Sequence, residues 1–269
     1  MRKIDSHLHV WAHEPEKYPY LPGREPRARG DAEFLLSLMD ESGVEKAVII
    51  QPIVHGFDHR YVDETLDKWP DRFTAMCLVD PRGDDPVDML EGFVETGYVG
   101  VRFNPALWPE GEPMDGAVGQ DLFAKAGELG IPVGFLCGPD NFDEIDALCT
   151  ASPATAAIID HFGHCTSDRP GDFERLLTMA GHPSLHVKLS EWPRASRKQW
   201  PYSDLFPWIP RLIDAFGSQR LMWGTDFPFI VEQAGYDRGW SIAGEIVPAL
   251  SDDDLRDILG GTAARLFRI

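Results

Sequence analysis

The chain has 269 residues, 43% of them hydrophobic, and its 25 Lys and Arg face 44 Asp and Glu for a formal net charge of −19. That length and apolar content suit one large domain with a full core, as in a (β/α)8 barrel. The acidic balance argues against nucleic acid, which needs a clustered basic face; no apolar run is long enough to span a membrane.

In chain order, a strand is predicted over Lys3–His9, ending in His7-Leu8-His9. A loop carrying Tyr18, Tyr20, Arg24, Arg27 and Arg29 leads to a helix over Ala32–Ser42. The second strand, Lys46–Gln51, is apolar on both faces through Ala47-Val48-Ile49-Ile50, as parallel strands covered by helices are. After it comes a loop holding His55. Asp58 is then expected to N-cap the next helix, leaving His59 on the surface of its first turn. Strand Phe73–Val79 and helix Val87–Thr96 follow, then strand Val99–Phe103 carrying Arg102, and helix Gln120–Leu129. Strand Ile131–Cys137 precedes strand Ala156–Asp160, which runs into His161-Phe162-Gly163-His164. Helix Asp172–Ala180, strand Leu185–Leu189 and a long loop with Trp192, Arg194, Arg197, Lys198, Trp200 and Tyr202 come next. Helix Pro210–Phe216 and strand Leu221–Gly224 complete the alternation, and Thr225-Asp226-Phe227-Pro228 follows the last strand. Ser251 with Asp254 forms an N-cap box opening Asp252–Leu259. Strict alternation of eight strands with helices describes a closed barrel in a single domain, residues 1–269.

Sites in such barrels lie where strands end and βα loops begin. Residues two apart on a strand share a face, so His7 and His9 both point into the barrel while Leu8 points to the helices. His161 follows the sixth strand and Asp226 the eighth, which neighbours the first once the barrel closes. Three imidazoles and a carboxylate at one mouth match a mononuclear zinc-type ligand set or a metal-free acid/base pair. Arg102 and Lys188, at the ends of the fourth and seventh strands, are candidates to bind an anionic substrate. Asp5 shares the parity of His7 one layer deeper, and His164 is close enough to His161 to support it. His13, His55 and His182 carry no assignment. The four cysteines, without a Cys-x-x-Cys pair, fit reduced thiols in the cytoplasm, with Cys137 a buried, inert thiol. No basic stretch followed by an apolar one opens the chain, so no secretion signal is expected.

Met1–Trp11, Val79-Asp80-Pro81, Gly100-Val101-Arg102, Asp160-His161-Phe162-Gly163, Val187-Lys188-Leu189-Ser190 and Trp223-Gly224-Thr225-Asp226 together resemble the amidohydrolase superfamily, and within it the sugar-lactone and pyrone-dicarboxylate lactonases. The resemblance runs the length of the chain. It implies a barrel, hydrolysis of a cyclic ester and water activation by Asp226, with His7, His9, His161 and Asp226 as ligands of a divalent metal, zinc first. Metal-independent catalysis occurs in the same branch. Where metal-dependent members carry a modified Lys, a Glu or a His after the fifth strand, this chain has Phe135-Leu136-Cys137-Gly138, so a lysine-bridged binuclear site is not expected.

In the resulting mechanism Asp226 takes the proton of the attacking water and later passes it to the departing ring oxygen, while His161, with His7 and His9 or their ion, polarises the carbonyl. The implied partner is a small-molecule substrate, with homo-oligomerisation open. The rival readings are a metal-dependent decarboxylase, an amide or cyclic-imide hydrolase, and a non-catalytic binder of small acids.

Overall fold

Each barrel strand is three to five residues long and buried almost throughout, so the chain crosses the core eight times in parallel and returns over the outside by helices. In the computed structural model, which describes residues 1–246 and 250–269, the strands are β1 (Ile4–Leu8), β2 (Lys46–Ile50), β3 (Phe73–Cys77), β4 (Gly100–Phe103), β5 (Val133–Phe135), β6 (Ala157–Ile159), β7 (Leu185–Leu189) and β8 (Leu221–Trp223). They pair in sequence order, every ladder parallel. The ring closes through a Leu8–Phe227 bridge, with His9 N–H donating to Phe227 O at 2.8 Å and Asp226 N–H to His7 O at 2.9 Å.

The helices are α1 (Ala32–Ser42), α2 (Arg60–Lys68), α3 (Pro86–Glu95), α4 (Ala117–Leu129), α5 (Phe142–Ala151), α6 (Pro170–Thr178), α7 (Trp192–Ala195), α8 (Trp208–Phe216), α9 (Phe229–Gln233), α10 (Tyr236–Ile246), α11 (Asp252–Arg256) and α12 (Thr262–Phe267). No helix among the described residues is long and apolar enough to cross a membrane. Local chemistry sets several ends. Asp31 caps α1 by accepting from Phe34 N–H, and Gly43 ends it in the left-handed conformation at φ 67°. The expected Ser251 box is present, but the helix it opens gives way after Arg256 to a π-turn over Asp257–Gly261. There a Cβ on Gly260 would meet the Arg2 carbonyl oxygen at 2.8 Å, so the floor of the barrel requires glycine.

Two apolar layers result. Ala47, Ile49, Ala75, Val101, Val133, Ala157, Val187 and Leu221 face the helices. Ile4, Val48, Ile50, Met76, Ile158 and Met222 fill the lower barrel, plugged by Ala263 and Phe267 of α12. Above that plug the inward positions turn polar, with Arg102, Asp160 and Lys188 all buried. A register shift in β1 between Asp5 and Leu8 makes this possible at the first strand. Ile4 lies in the inner cluster, so plain alternation would turn His7 outward; the irregularity resets the phase and brings His7 inside. The same shift corrects the expectation for Asp5. Its carboxylate turns to the β8 end and α10, accepting from Thr225 N (2.9 Å), Thr225 Oγ1 (2.6 Å) and Tyr236 Oη (3.0 Å).

Candidate active site

His7 and His9 come from the end of β1, and Asp226 sits three residues past β8 with φ 59°. His9 Nδ1–H donates to Ile50 O at 2.8 Å, and His7 Nδ1–H donates to Asp160 Oδ1 at 3.2 Å. Both acceptors can only accept, which assigns the tautomers and leaves a lone pair on each Nε2. These nitrogens lie 3.7 Å (His7) and 3.6 Å (His9) from Asp226 Oδ1. His7 Nε2 and Asp226 Oδ1 are buried with no hydrogen-bond partner among the described residues. Gly224 permits the approach of the strands: a Cβ there would stand 2.8 Å from His7 Cβ.

Asp160 is the hub beneath this group, and sequence reasoning missed it. Its Oδ2 accepts from Arg102 Nε at 2.9 Å, and its Oδ1 lies 3.2 Å from both Lys188 Nζ and His7 Nδ1. Burial opposes its charge, but Lys188, His7 and Arg102 hold the carboxyl well below its ordinary range. Lys188 has no exposed surface and its ammonium donates to Asp160, lying 3.2 Å from a His7 Nδ1 whose N–H points at the same carboxylate, so it serves Asp160 instead of meeting a substrate from that position. Arg102 uses Nε for Asp160 and lines the pocket above. A signal for Asp160 was available, because a carboxylate inside a barrel with two inward cations, Lys188 on the adjacent β7 and Arg102 two strands away on β4, has to pair with them.

His161 follows β6 at φ 55°, its Nδ1 2.9 Å from Ser190 Oγ after β7. Its ring stands edge-on to His7 at 4.3 Å between centroids and parallel to His164 at 5.6 Å. Three of the four expected donors, His7, His9 and Asp226, offer atoms within 4.8 Å of one another; His161 belongs to adjoining groups with His7 and Asp160, and with His164 and Glu191. Glu191, also missed, leaves β7 at φ 54°, with Oε2 3.3 Å from His164 Nε2 and Oε1 3.6 Å from Arg194 Nη1.

Electrostatics separates these groups. Burial pushes His7 and His161 well below the usual histidine range and His9 down to about 3, so all three imidazoles are neutral near pH 7. Burial, then the charge of Glu191, pushes Asp226 well up. Burial and the nearby Asp160 charge raise the Cys137 thiol, which joins no metal-ligand group among the described residues. The cavity above holds about 200 Å³. Arg102, Asn104, Glu191 and Arg194 give it a polar wall, and Trp11, Ile53 and Phe229 an apolar one.

The remaining histidines lie outside the reacting centre. His59 corrects its expectation: it is buried, donates from Nδ1 to Phe57 O and accepts Leu78 N–H at Nε2 (3.1 Å), tying α2 to the end of β3. Asp58 instead takes the Arg60 N–H and guanidinium. His55 is buried between Pro19 O and Ala12 N–H, and His182 pairs with Asp146 at 2.7 Å.

A parallel barrel with two histidines at the end of β1, one after β6 and an aspartate after β8 is the frame of a hydrolytic barrel enzyme. The amidohydrolase family matches residues 4–269, and the chain belongs to it. It is 30% identical over 281 residues to 4-sulfomuconolactone hydrolase of Hydrogenophaga intermedia, covering 98% of this chain and 88% of that one. To L-fucono-1,5-lactonase of Burkholderia ambifaria it is 27% identical over 293 residues, covering 99% and 96%. Among solved structures, a probable 2-pyrone-4,6-dicarboxylic acid hydrolase of Acinetobacter baumannii with citric acid bound superposes with a TM-score of 0.84 at 18% identity, each chain covered completely.

The donor set fits a divalent ion. Two neutral imidazole lone pairs and a buried carboxylate oxygen face one another with no donor between them, an arrangement that needs a proton or a cation. Each histidine is also backed by an acceptor on its far nitrogen, the outer-shell pattern of metal-ligating imidazoles.

Proposed function

We propose that the protein hydrolyses a small anionic lactone at a single divalent ion, zinc first, held by His7 Nε2, His9 Nε2 and Asp226 Oδ1 beside His161. The observation that carries this reading is the meeting of those three donors, two of them buried and otherwise unpartnered. When bound, such an ion acidifies water and polarises a carbonyl. Asp226 accepts a proton from the attacking water, since it is the one carboxylate among the three donors. His161, neutral and anchored by Ser190 at Nδ1, offers Nε2–H to the carbonyl oxygen; a neutral imidazole can do this without competing for the proton. Asp160 holds the tautomer of His7, and Arg102 and Lys188 neutralise Asp160.

Arg102 and Arg194 on the polar wall favour an anionic substituent, and a relative named for a sulfonated lactone agrees with that preference. Phe229 and Trp11, with ring centroids 5.8 Å apart, offer the opposite face an apolar ring surface. All four cysteines are buried and unpaired, which suits a reducing compartment; on that ground we place the protein in the cytoplasm.

The test is elemental analysis of the purified protein together with proton release from a panel of carboxylated, sulfonated and neutral lactones. About one equivalent of zinc, chelator-sensitive turnover and a lower KM for the charged members are expected. Arg102→Met should raise KM for charged lactones more than for neutral ones. Failure to open any lactone, with carbon dioxide released from an aromatic acid or an amide cleaved instead, would overturn the proposal.

A further inference from the structure

The two sides of the cavity over Asp226 differ in what they can bond. Arg102 on β4 and Asn104 just past its end present donors. Arg102 uses Nε for Asp160, and its terminal nitrogens have no other partner among the described residues. Asn104 Oδ1 accepts the Ala106 N–H at 3.0 Å, which leaves the amide NH2 to donate. Trp11, Pro52, Ile53, Val54 and Phe229 form the other side. They follow β1, β2 and β8, neighbours in the closed ring, and β4 lies across the axis from β8. Four of the five have no polar side-chain atom, and Trp11 gives its indole N–H to Ala28 O at 3.1 Å. The carbonyls of Pro52, Ile53 and Val54 accept from His55, Gly56 and Leu21 N–H. Trp11 is wedged in place, since a Cβ on Gly30 would stand 2.4 Å from its ring. Phe229 is 46% exposed; of the three large apolar side chains left exposed among the described residues, it alone lines the cavity. Its ring stands 5.8 Å from Trp11 and 6.3 Å from His9, beside the reacting centre.

We infer that Trp11 and Phe229 determine specificity by holding the lactone ring against one face, so that the substrate is a flat, unsaturated lactone acid with its polar groups confined to the edge. The inference rests on the lactonase reading above. A cavity of about 200 Å³ lies below the ~300–1,000 Å³ usual for drug-sized ligands, so one small ring fills it and meets both walls. An acidic group on the edge reaches Arg102 and Asn104, whose donors suit acceptor oxygens. The opposite wall offers carbon and π-surface, against which a flat ring packs favourably. A saturated ring carrying hydroxyls fits this division badly. Each hydroxyl is a donor as well as an acceptor, and one set against Trp11 or Phe229 leaves water without finding a side-chain partner. Rejection of an added hydroxyl by an apolar wall is worth about 100-fold in kcat/KM. Trp11 and Phe229 move no proton, so their contribution falls on KM and little on kcat.

The experiment compares two lactone acids of the same ring size and acidic group, one unsaturated and flat, the other saturated and carrying ring hydroxyls. Each kcat/KM is divided by that lactone's rate of hydrolysis by hydroxide, which removes intrinsic reactivity. On this scale the wild type is expected to prefer the flat lactone by about 100-fold or more. Phe229→Ala should raise KM for the flat lactone about tenfold, leave kcat within about threefold, and cut the preference about tenfold. Phe229→Tyr keeps the ring face and should keep the preference. Phe229 is half exposed, so neither variant opens the core. A binding measurement stands apart from turnover: by calorimetry, Phe229→Ala should weaken isophthalate, a flat diacid with no bond to hydrolyse, about tenfold, and its cyclohexane counterpart by less than about threefold. A wild type that opens the hydroxylated lactone as well as the flat one, or a Phe229→Ala variant that loses equally on both, overturns this inference alone. A wild type that opens neither lactone overturns the lactonase reading and this inference with it.

Discussion

Replacing Asp160 by Asn tests whether the charge network below the pocket holds the site together. Asp160 pairs with Arg102 at 2.9 Å and Lys188 at 3.2 Å, and the three side chains are 5% exposed or less. The amide keeps the shape but removes the carboxylate paired with Lys188, leaving an ammonium with no exposed surface beside a guanidinium. Removing one partner of a buried ion network costs about 3–5 kcal/mol, because the remaining charge keeps its desolvation penalty. At roughly 2–4 °C per kcal/mol for a protein of this size, the melting temperature should fall by about 6–20 °C. The assay is urea and thermal unfolding followed by circular dichroism near pH 7, on Asp160→Asn, Lys188→Met and the double variant. If the penalty is an uncompensated Lys188, the double variant should recover about 1–3 kcal/mol relative to the sum of the two single losses. Metal affinity should also fall, about 10–100-fold, since Asp160 fixes the ring of His7. A loss below about 1 kcal/mol in Asp160→Asn, or strict additivity in the double variant, would refute the reasoning.

Three further outcomes follow from the same geometry. Asp226→Asn should lower kcat by about 10²-fold or more while leaving the unfolding midpoint near that of the wild type, since burial already disfavours its charge; near-native turnover would remove Asp226 from the base role. His9 is pushed down from 6.5 to about 3, so the unfolded chain binds a proton there that the folded chain refuses. Its contribution to stability is complete above pH 6.5 and is lost as pH falls toward 3, by up to about 5 kcal/mol. His9→Gln should flatten that acid limb, and an unchanged slope in denaturant titrations at pH 6.5, 5 and 4 would contradict the assignment. Gly224→Ala places a methyl group 2.8 Å from His7 Cβ; a loss of about 1–3 kcal/mol with a larger fall in activity is expected, and full activity would show that β1 can yield.

The strand and helix alternation was legible because burial on both faces leaves an unbroken apolar signal, as in Ala47-Val48-Ile49-Ile50, and because caps such as Asp31 and Ser251 are local. Asp226 and the two β1 histidines were legible for a related reason: strand ends in a closed barrel face one mouth. Asp160 was overlooked because Arg102 and Lys188, from β4 and β7, each looked like a free cation for a substrate, although two inward cations beside an inward carboxylate must pair with it. His59 was misplaced because a short polar loop reads as surface, while its true constraint is the Leu78 N–H at the end of a different strand. The parity of Asp5 failed because a register shift in β1 leaves no trace in a five-residue pattern of mixed polarity.

The chain pays for the mouth of the barrel in backbone conformation. His161, His164, Glu191 and Asp226 all adopt positive φ, four of the seven non-glycine residues that do so among the described residues. Each costs roughly 1–2 kcal/mol relative to an extended or helical backbone. A strand that simply continued would carry these side chains up and away from the axis; a left-handed residue turns the chain at once and aims the side chain across the opening. The local reinforcements lie in the same places: Asp226 N–H donates to His7 O at 2.9 Å, Gly163 N–H donates to Asp160 O at 2.9 Å, and Arg194 N–H donates to Glu191 O at 3.0 Å. The positive-φ residues after β6, β7 and β8 therefore gather at the strand ends that line the cavity.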